Sequence, residues 1–246
     1  MRNYATAQLT GTRDNQCDAT AVFTDRRTGA RAYVLLDGIG STEVVREWTR
    51  AAARRLARTA ARRGDAERGL RAVYDAYAAE LGGYGPSAVA VVAVTVPGKP
   101  LTIAWCGDAR AYLVADGTAH KMTDDHNLRR VIGGRRNIVT SWLGSNLNDD
   151  KVKYRFGHPA IESVSLCLVA KTVRLLLASD GAYDPHEDAG HDLANLLTGK
   201  PRQAARRFSA TAVKESLAAS HAGGDPDNPA EPYADNSTVL VADLTA

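Results

Sequence analysis

Cysteine is scarce in this chain: three residues (Cys17, Cys106 and Cys167) in 246. An odd number, widely spaced and with no C-x-x-C pair, argues against both a disulfide framework and a zinc site, and points to a reducing cytoplasm. Long apolar runs are missing too. No stretch approaches the ~20 apolar residues that span a bilayer. The opening MRNYATAQLTGTRD lacks the apolar segment of a secretory signal. Charge of one sign is not dominant: 31 basic against 28 acidic residues leave a net +3, which gives no reason to expect nucleic acid or a membrane as partner. There is no internal repeat, and only an Arg/Ala-rich segment near 50–63 is biased in composition. The expectation is one domain over 1–246, a cytoplasmic monomer, long enough to bury a core without disulfides.

What is present is a segregated pattern. Ala19–Thr24 and Ala32–Leu36, joined by DRRTG, read as a hairpin. The period then turns helical. Val44, Val45, Trp48, Ala52 and Leu56 share a face, and Arg46, Arg50, Arg54 and Arg58 lie largely off it, as a solvated face would. Gly64 ends this helix and Asp65 can cap the next, whose stripe is Leu70, Val73, Tyr74, Tyr77 and Leu81. Ser87–Val96 is apolar at every alternate position on both faces, so both faces should be covered. Leu101–Trp105, Ala111–Val114, Arg174–Ser179 and Ser237–Leu244 are further strands. Thr123–Gly144 reads as a polar loop, His191–Ala219 as helix broken at Gly199–Pro201, and His221–Ala234 as loop. Strands, two helices, strands, a helix and a last strand favour α+β, with two sheets packed together and helices outside.

Aspartates fall where strands end. YVLL runs into Asp37-Gly38, LLLAS into Asp180-Gly181, Asp108 follows WCG, and Asp235-Asn236 precedes STVLV. Clustered carboxylates repel, and a divalent cation with a taste for hard oxygen ligands, Mg²⁺ or Mn²⁺, removes that repulsion. Asp-Gly is also a common hairpin turn. Asp116-Gly117, between AYLV and AHKM, is read as that and nothing more. Asp37-Gly38 differs because a helix follows it.

Taken together the segments resemble the metal-dependent serine/threonine protein phosphatases of type 2C, the PPM family. RDNQCD (Arg13–Asp18) resembles R-x-x-N-E-D, DGIGS resembles D-G-x-G-G, and GPSAVAVV resembles the G-T-T-A strand. GDARAYLV resembles G-D-S-R-x-Y, TDDHN resembles T-x-D-H-S, and NIVTSWLG the segment ending in x-L-G. SDGAYD resembles S-D-G-L-x-D, and DNSTVLV resembles D-N-x-T. Eight motifs in order span nearly the whole chain. The resemblance implies a four-layer α/β/β/α sandwich of two packed, mainly antiparallel sheets. It implies two Mn²⁺ or Mg²⁺ ions, with a third weaker site, and a phosphorylated protein as substrate. By position, Asp37 would bridge the two ions and Gly38 would bind one through its carbonyl. Asp180 and Asp235 would ligate the second ion. Asp18 would sit near the first, and Asp108 and Asp184 near the third. Arg13 would hold the phosphate. Two metals ~3.5–4 Å apart can share a water and present hydroxide for in-line attack on phosphorus.

The chain departs from the pattern in places. Cys17 stands where the motif has glutamate. Ser41 replaces the last glycine of D-G-x-G-G; a positive φ there would cost a serine ~1 kcal/mol, and otherwise Ser41 can cap the helix. Pro86-Ser87 replaces two threonines, and the stretch from His126 to Asn137 looks short for the region that shapes substrate access. Ile39 stands where some members carry a histidine proposed as general acid. His126 is the substitute the sequence offers, although a loop histidine satisfied by local hydrogen bonds is the favoured reading. These departures motivate the alternative of a phosphatase-like regulatory or binding module with little turnover.

Overall fold

The computed structural model describes residues 3–168, 172–222 and 231–245. The chain folds into two five-stranded antiparallel sheets. Its elements in order are β1 (Tyr4–Leu9), β2 (Ala19–Thr24), β3 (Arg31–Gly38), α1 (Glu43–Arg63), α2 (Ala66–Leu81), β4 (Ala88–Thr95) and β5 (Leu101–Cys106). Then come β6 (Arg110–Ala115), β7 (Thr118–Lys121), α3 (Leu128–Ile132), α4 (Asp149–Phe156), β8 (Glu162–Leu166) and β9 (Thr172–Ala178). The chain closes with α5 (Asp180–Asp188), α6 (Leu193–Leu196), α7 (Pro201–Ala222) and β10 (Ser237–Thr245). One sheet runs β1-β10-β9-β6-β7 and the other β2-β3-β4-β5-β8.

Alternation along the central strands explains the stacking. In β3 and β4, Ala32, Val34, Leu36, Ala90, Val92 and Val94 point outward to a core shared with α1 and α2. Tyr33, Leu35, Val89 and Val91 point inward and meet Leu175, Leu177, Leu240 and Ala242 of the other sheet. The opposite positions of β9 and β10 (Leu176, Ala178, Val239 and Val241) pack on Tyr183, Leu197 and Phe208 beneath α5–α7. Three apolar layers thus separate four layers of structure. A strand buried on both faces has to be apolar at every position, which is what β4 shows.

Helix termini follow the sequence signals. Gly64 closes α1 in the left-handed region, and Asp65 caps α2 through the Arg68 N–H. The cap of α1 is Thr42, which accepts from the Val45 N–H. Ser41 therefore is not the cap, and its φ is not positive. Val44, expected on the buried stripe, is 64% exposed. The buried face centres on Thr49, Ala52, Ala53 and Leu56, about a third of a turn round from it. Arg50, Arg54 and Arg58 are exposed as expected. Asp116 (φ 50°) and Gly117 (φ 76°) form the tight turn between β6 and β7. The chain breaks between α6 and α7 where Gly199–Pro201 lie. Of the loop expected at His221–Ala234, the first two residues are helical and 223–230 lie outside the described residues. All three cysteines are free. Among the described residues no helix is long and apolar enough to cross a membrane.

Candidate metal and phosphate site

The registers place the acidic residues on one rim of the sandwich. Asp37 pairs with Val89 and Gly38 with Ala88, so the end of β3 meets the start of β4. The end of β2 that faces them begins just after Asp18. In the second sheet Ala178, at the end of β9, pairs with Arg110 and Val239, so Asp108, Asp180 and Asp235 leave their strands on the same side. A cleft of about 340 Å³ is lined by Arg13, Asp37, Gly38, Ile39, Asp108, Asn137, Val139, Asp180, Tyr233, Asp235 and Asn236. Six of the eight residues expected from the motifs therefore share one cavity. The other two flank it. Asp18 is buried beneath it (2% exposed), and Asp184 lies one helical turn beyond Asp180 on α5.

Close backbone approach builds this rim. A Cβ on Gly38 would lie 2.6 Å from the Cys17 carbonyl oxygen and 2.8 Å from Thr49 Oγ1. One on Gly181 would lie 2.4 Å from the Asn236 carbonyl oxygen. Only glycine lets β3 come so near Cys17 and α1, and α5 so near Asn236. The segment carrying Arg13 and Asp18 is stapled to the one before β10. The Thr12 N–H donates to the Ala234 carbonyl (2.9 Å), the Asn236 side chain accepts from the Cys17 N–H (2.7 Å), and it donates to the Thr10 carbonyl (2.9 Å).

The electrostatics are those of crowded carboxylates. Burial and the charges of Asp18, Asp180, Asp108 and Asp235 push Asp37 well above the usual carboxylate range. Asp108 is raised by burial and by Asp180, and Asp180 by burial and by Asp235. Burial, helped by neighbouring Asp180, raises Asp18 to about 8 and Asp184 to about 7. Asp37 and Asp180 line the same cleft, and the charge of Asp180 is among those that raise Asp37. One oxygen of Asp18 (Oδ2) is buried with no partner. A buried acceptor without a donor and acids that resist ionisation fit a hard oxygen-seeking cation. The donor set is right for Mn²⁺ or Mg²⁺.

The side chains are not, however, preset around an ion. Among the described residues no three His, Cys, Asp or Glu side chains converge as a metal-holding group. Two expected residues have other partners. Arg13 grips Asp235 with both arms of its fork (2.9 and 2.7 Å). Arg136 reaches from the short loop after α3 to Asp184 (2.9 Å) and to Asp188 on α5. Arg136 and Tyr233 carry no motif signal. Only the fold shows that Tyr233 walls this cleft and that Arg136 stands beside it on Asp184. The loop that looked trimmed still closes one side.

The departures now have places. Cys17 is buried, its thiol directed to the Thr42 carbonyl (3.6 Å) and pushed up by burial, so it offers no thiolate ligand. His126 is fully buried away from the cleft. Its Nε2 meets Glu162 at 3.0 Å and its ring stacks on His158 at 4.1 Å. Burial pushes its pKa down. It is the satisfied interior histidine rather than a general acid. Burial would raise Glu162, but hydrogen bonds from His126 and Arg130 bring it down to about 2. That stabilisation is complete above the ordinary glutamate range and is lost as pH falls through about 2. Glu162→Gln should therefore cost about 2–3 kcal/mol at pH 7, with the gap to wild type closing as pH falls below 4. Urea denaturation at pH 7, 4 and 3 checks this; a gap independent of pH contradicts it.

Comparison with known proteins bears on the fold that carries this site. The family model "Protein phosphatase 2C" matches residues 44–131. The PPM Ser-Thr phosphatase MsPP from Mycobacterium smegmatis superposes with a TM-score of 0.70 at 22% identity, covering 98% of this chain and 97% of that one. The chain has the PPM phosphatase fold. The serine/threonine phosphatase Stp1 from Staphylococcus aureus shares the PPM fold at TM-score 0.70 and 19% identity (100% and 96% covered). So does the Mycobacterium tuberculosis phosphatase PstP/Ppp, at 0.66 and 21% (99% and 98%). No curated protein sequence matches. The resemblance to type 2C phosphatases is thus matched by the family model over residues 44–131 and by the fold, and the α/β/β/α layering is the one the resemblance implied.

Proposed function

We propose that the protein is a Mn²⁺- or Mg²⁺-dependent phosphatase that acts on phosphoserine and phosphothreonine in other proteins. The observation that carries this is the convergence of Asp37 and Asp180, from strand ends in different sheets, on one cleft that also holds Asp108, Asp235 and Arg13. Asp37, the Gly38 carbonyl, Asp180 and Asp235 would hold two cations, with Asp18 beside the first and Asp108 and Asp184 serving a third. When bound, such ions neutralise the acids and acidify a water for in-line attack on phosphorus. Arg13 offers a planar two-donor fork, the shape that matches phosphate oxygens. Ile39 stands at the mouth, 41% exposed, and adds no proton donor. No histidine lines the cleft, and burial and its bond to Asp235 raise the Tyr233 hydroxyl to about 12, which makes it a poor acid. Proton delivery to the leaving alkoxide therefore falls to solvent in the cleft. The free cysteines suit a reducing cytoplasm.

One observation favours a second reading, a phosphatase-like binding module: Asp235 is already engaged by Arg13. Hydrolysis of a phosphothreonine peptide separates the two. Turnover that rises with MnCl₂ and disappears with chelator is expected. No turnover at saturating MnCl₂ favours the module, and chelator-insensitive turnover refutes the metal site.

A further inference from the structure

Asp235 is saturated. A carboxylate has two oxygens with about four lone-pair positions. Here Oδ1 accepts from Arg13 Nε (2.9 Å) and the Asn236 N–H (2.7 Å). Oδ2 accepts from Arg13 Nη2 (2.7 Å) and the Tyr233 hydroxyl (2.9 Å). The Arg13 guanidinium also lies 5.2 Å from the centre of the Tyr233 ring. A cation can use Asp235 only after one of these donors leaves. The backbone N–H of Asn236 is fixed, so Arg13 or Tyr233 must move. Both reach solvent, and Arg13 has a long side chain with several rotatable bonds.

We propose that Arg13 and Tyr233 form a latch on Asp235, which a divalent cation has to open, so that cation loading releases the Arg13 fork for a phosphate oxyanion. The inference rests on the metal-dependent reading above and adds Tyr233 as a positioning residue. The fork that matches a carboxylate also matches a phosphate, so Arg13 cannot serve both at once. Cation and phosphate are therefore linked through one side chain, and by thermodynamic necessity each strengthens the other's binding equally.

Calorimetric titration with MnCl₂, alone and with inorganic phosphate, tests the latch. Arg13→Ala removes two charge-assisted hydrogen bonds that compete with the ion, and should bind Mn²⁺ about tenfold more tightly than wild type. Tyr233→Phe removes one donor and should tighten binding about threefold. Phosphate should strengthen Mn²⁺ binding in wild type, and much less in Arg13→Ala. Tyr233→Phe keeps the fold, the ring and Arg13, so it decides the matter if the arginine variant is unstable. Wild-type or weaker Mn²⁺ affinity in both variants overturns the latch and leaves the metal site standing. Failure of wild type to bind Mn²⁺ at all overturns both.

Discussion

Asp37→Asn is expected to lower phosphopeptide turnover by about a thousandfold or more, since on the proposed reading Asp37 would help hold both cations, whose charge would supply several kcal/mol of transition-state stabilisation. The same change should make the protein more stable in chelator. Asp37 is held well above the usual carboxylate range by burial and by Asp18, Asp180 and Asp108. The unfolded chain ionises it more easily, so its ionisation weakens the fold as pH rises past the ordinary carboxylate value. Asparagine keeps the shape and removes that penalty. Steady-state kinetics with MnCl₂, together with thermal melts in chelator at pH 7.5, would show activity and stability moving in opposite directions. A variant that loses stability along with activity would mean that Asp37 supports the fold and not a charge-concentrating site.

Arg110→Ala is the second large effect, and it falls on stability. Arg110 opens β6 with its side chain 8% exposed. It forks onto Asp125 (2.8 and 2.7 Å), reaches Glu187 on α5 (2.5 Å), and lies 3.8 Å from the ring centre of Tyr183. The Tyr183 hydroxyl in turn donates to the Asp108 carbonyl (2.8 Å). Removing the cation leaves the 11%-exposed Asp125 side chain without its partner, and such a loss typically costs ~3–5 kcal/mol. Arg110→Lys cannot reproduce the fork or the stacking and should recover little. Because α5 carries Asp180 and Asp184, Mn²⁺ affinity should weaken as well. Urea denaturation gives the stability term. A loss below about 1 kcal/mol would show that the network is ornamental.

Legibility followed burial. The strands β3, β4, β9 and β10 are covered on both faces, and their apolar composition declares it. The edge strands do not. In β1 (YATAQL) and β8 (ESVSL) exposed and half-buried residues are mixed, so no apolar run marks them. Helix α5 was hidden by its own chemistry: it begins on Asp180-Gly181 and contains Pro185, which reads as a turn and a breaker. Asp37, Asp108, Asp180 and Asp235 were legible because strand ends and motif order both mark them, and Asp18 through the motif alone. Tyr233 and Arg136 were not. They come from loops, and their place depends on how the loop after α3 and the segment before β10 fold over the rim. Likewise, nothing in RDNQCD indicates that Arg13 would close on Asp235, since the two residues meet only when β1 and β10 pair.

The most direct measurement is a crystal grown or soaked with MnCl₂ and its anomalous difference map. The account predicts manganese peaks between Asp37 and Asp180, with Asp235 turned from Arg13 toward the metal. A well-ordered cleft with no manganese at these carboxylates, at a concentration that supports turnover, would contradict it.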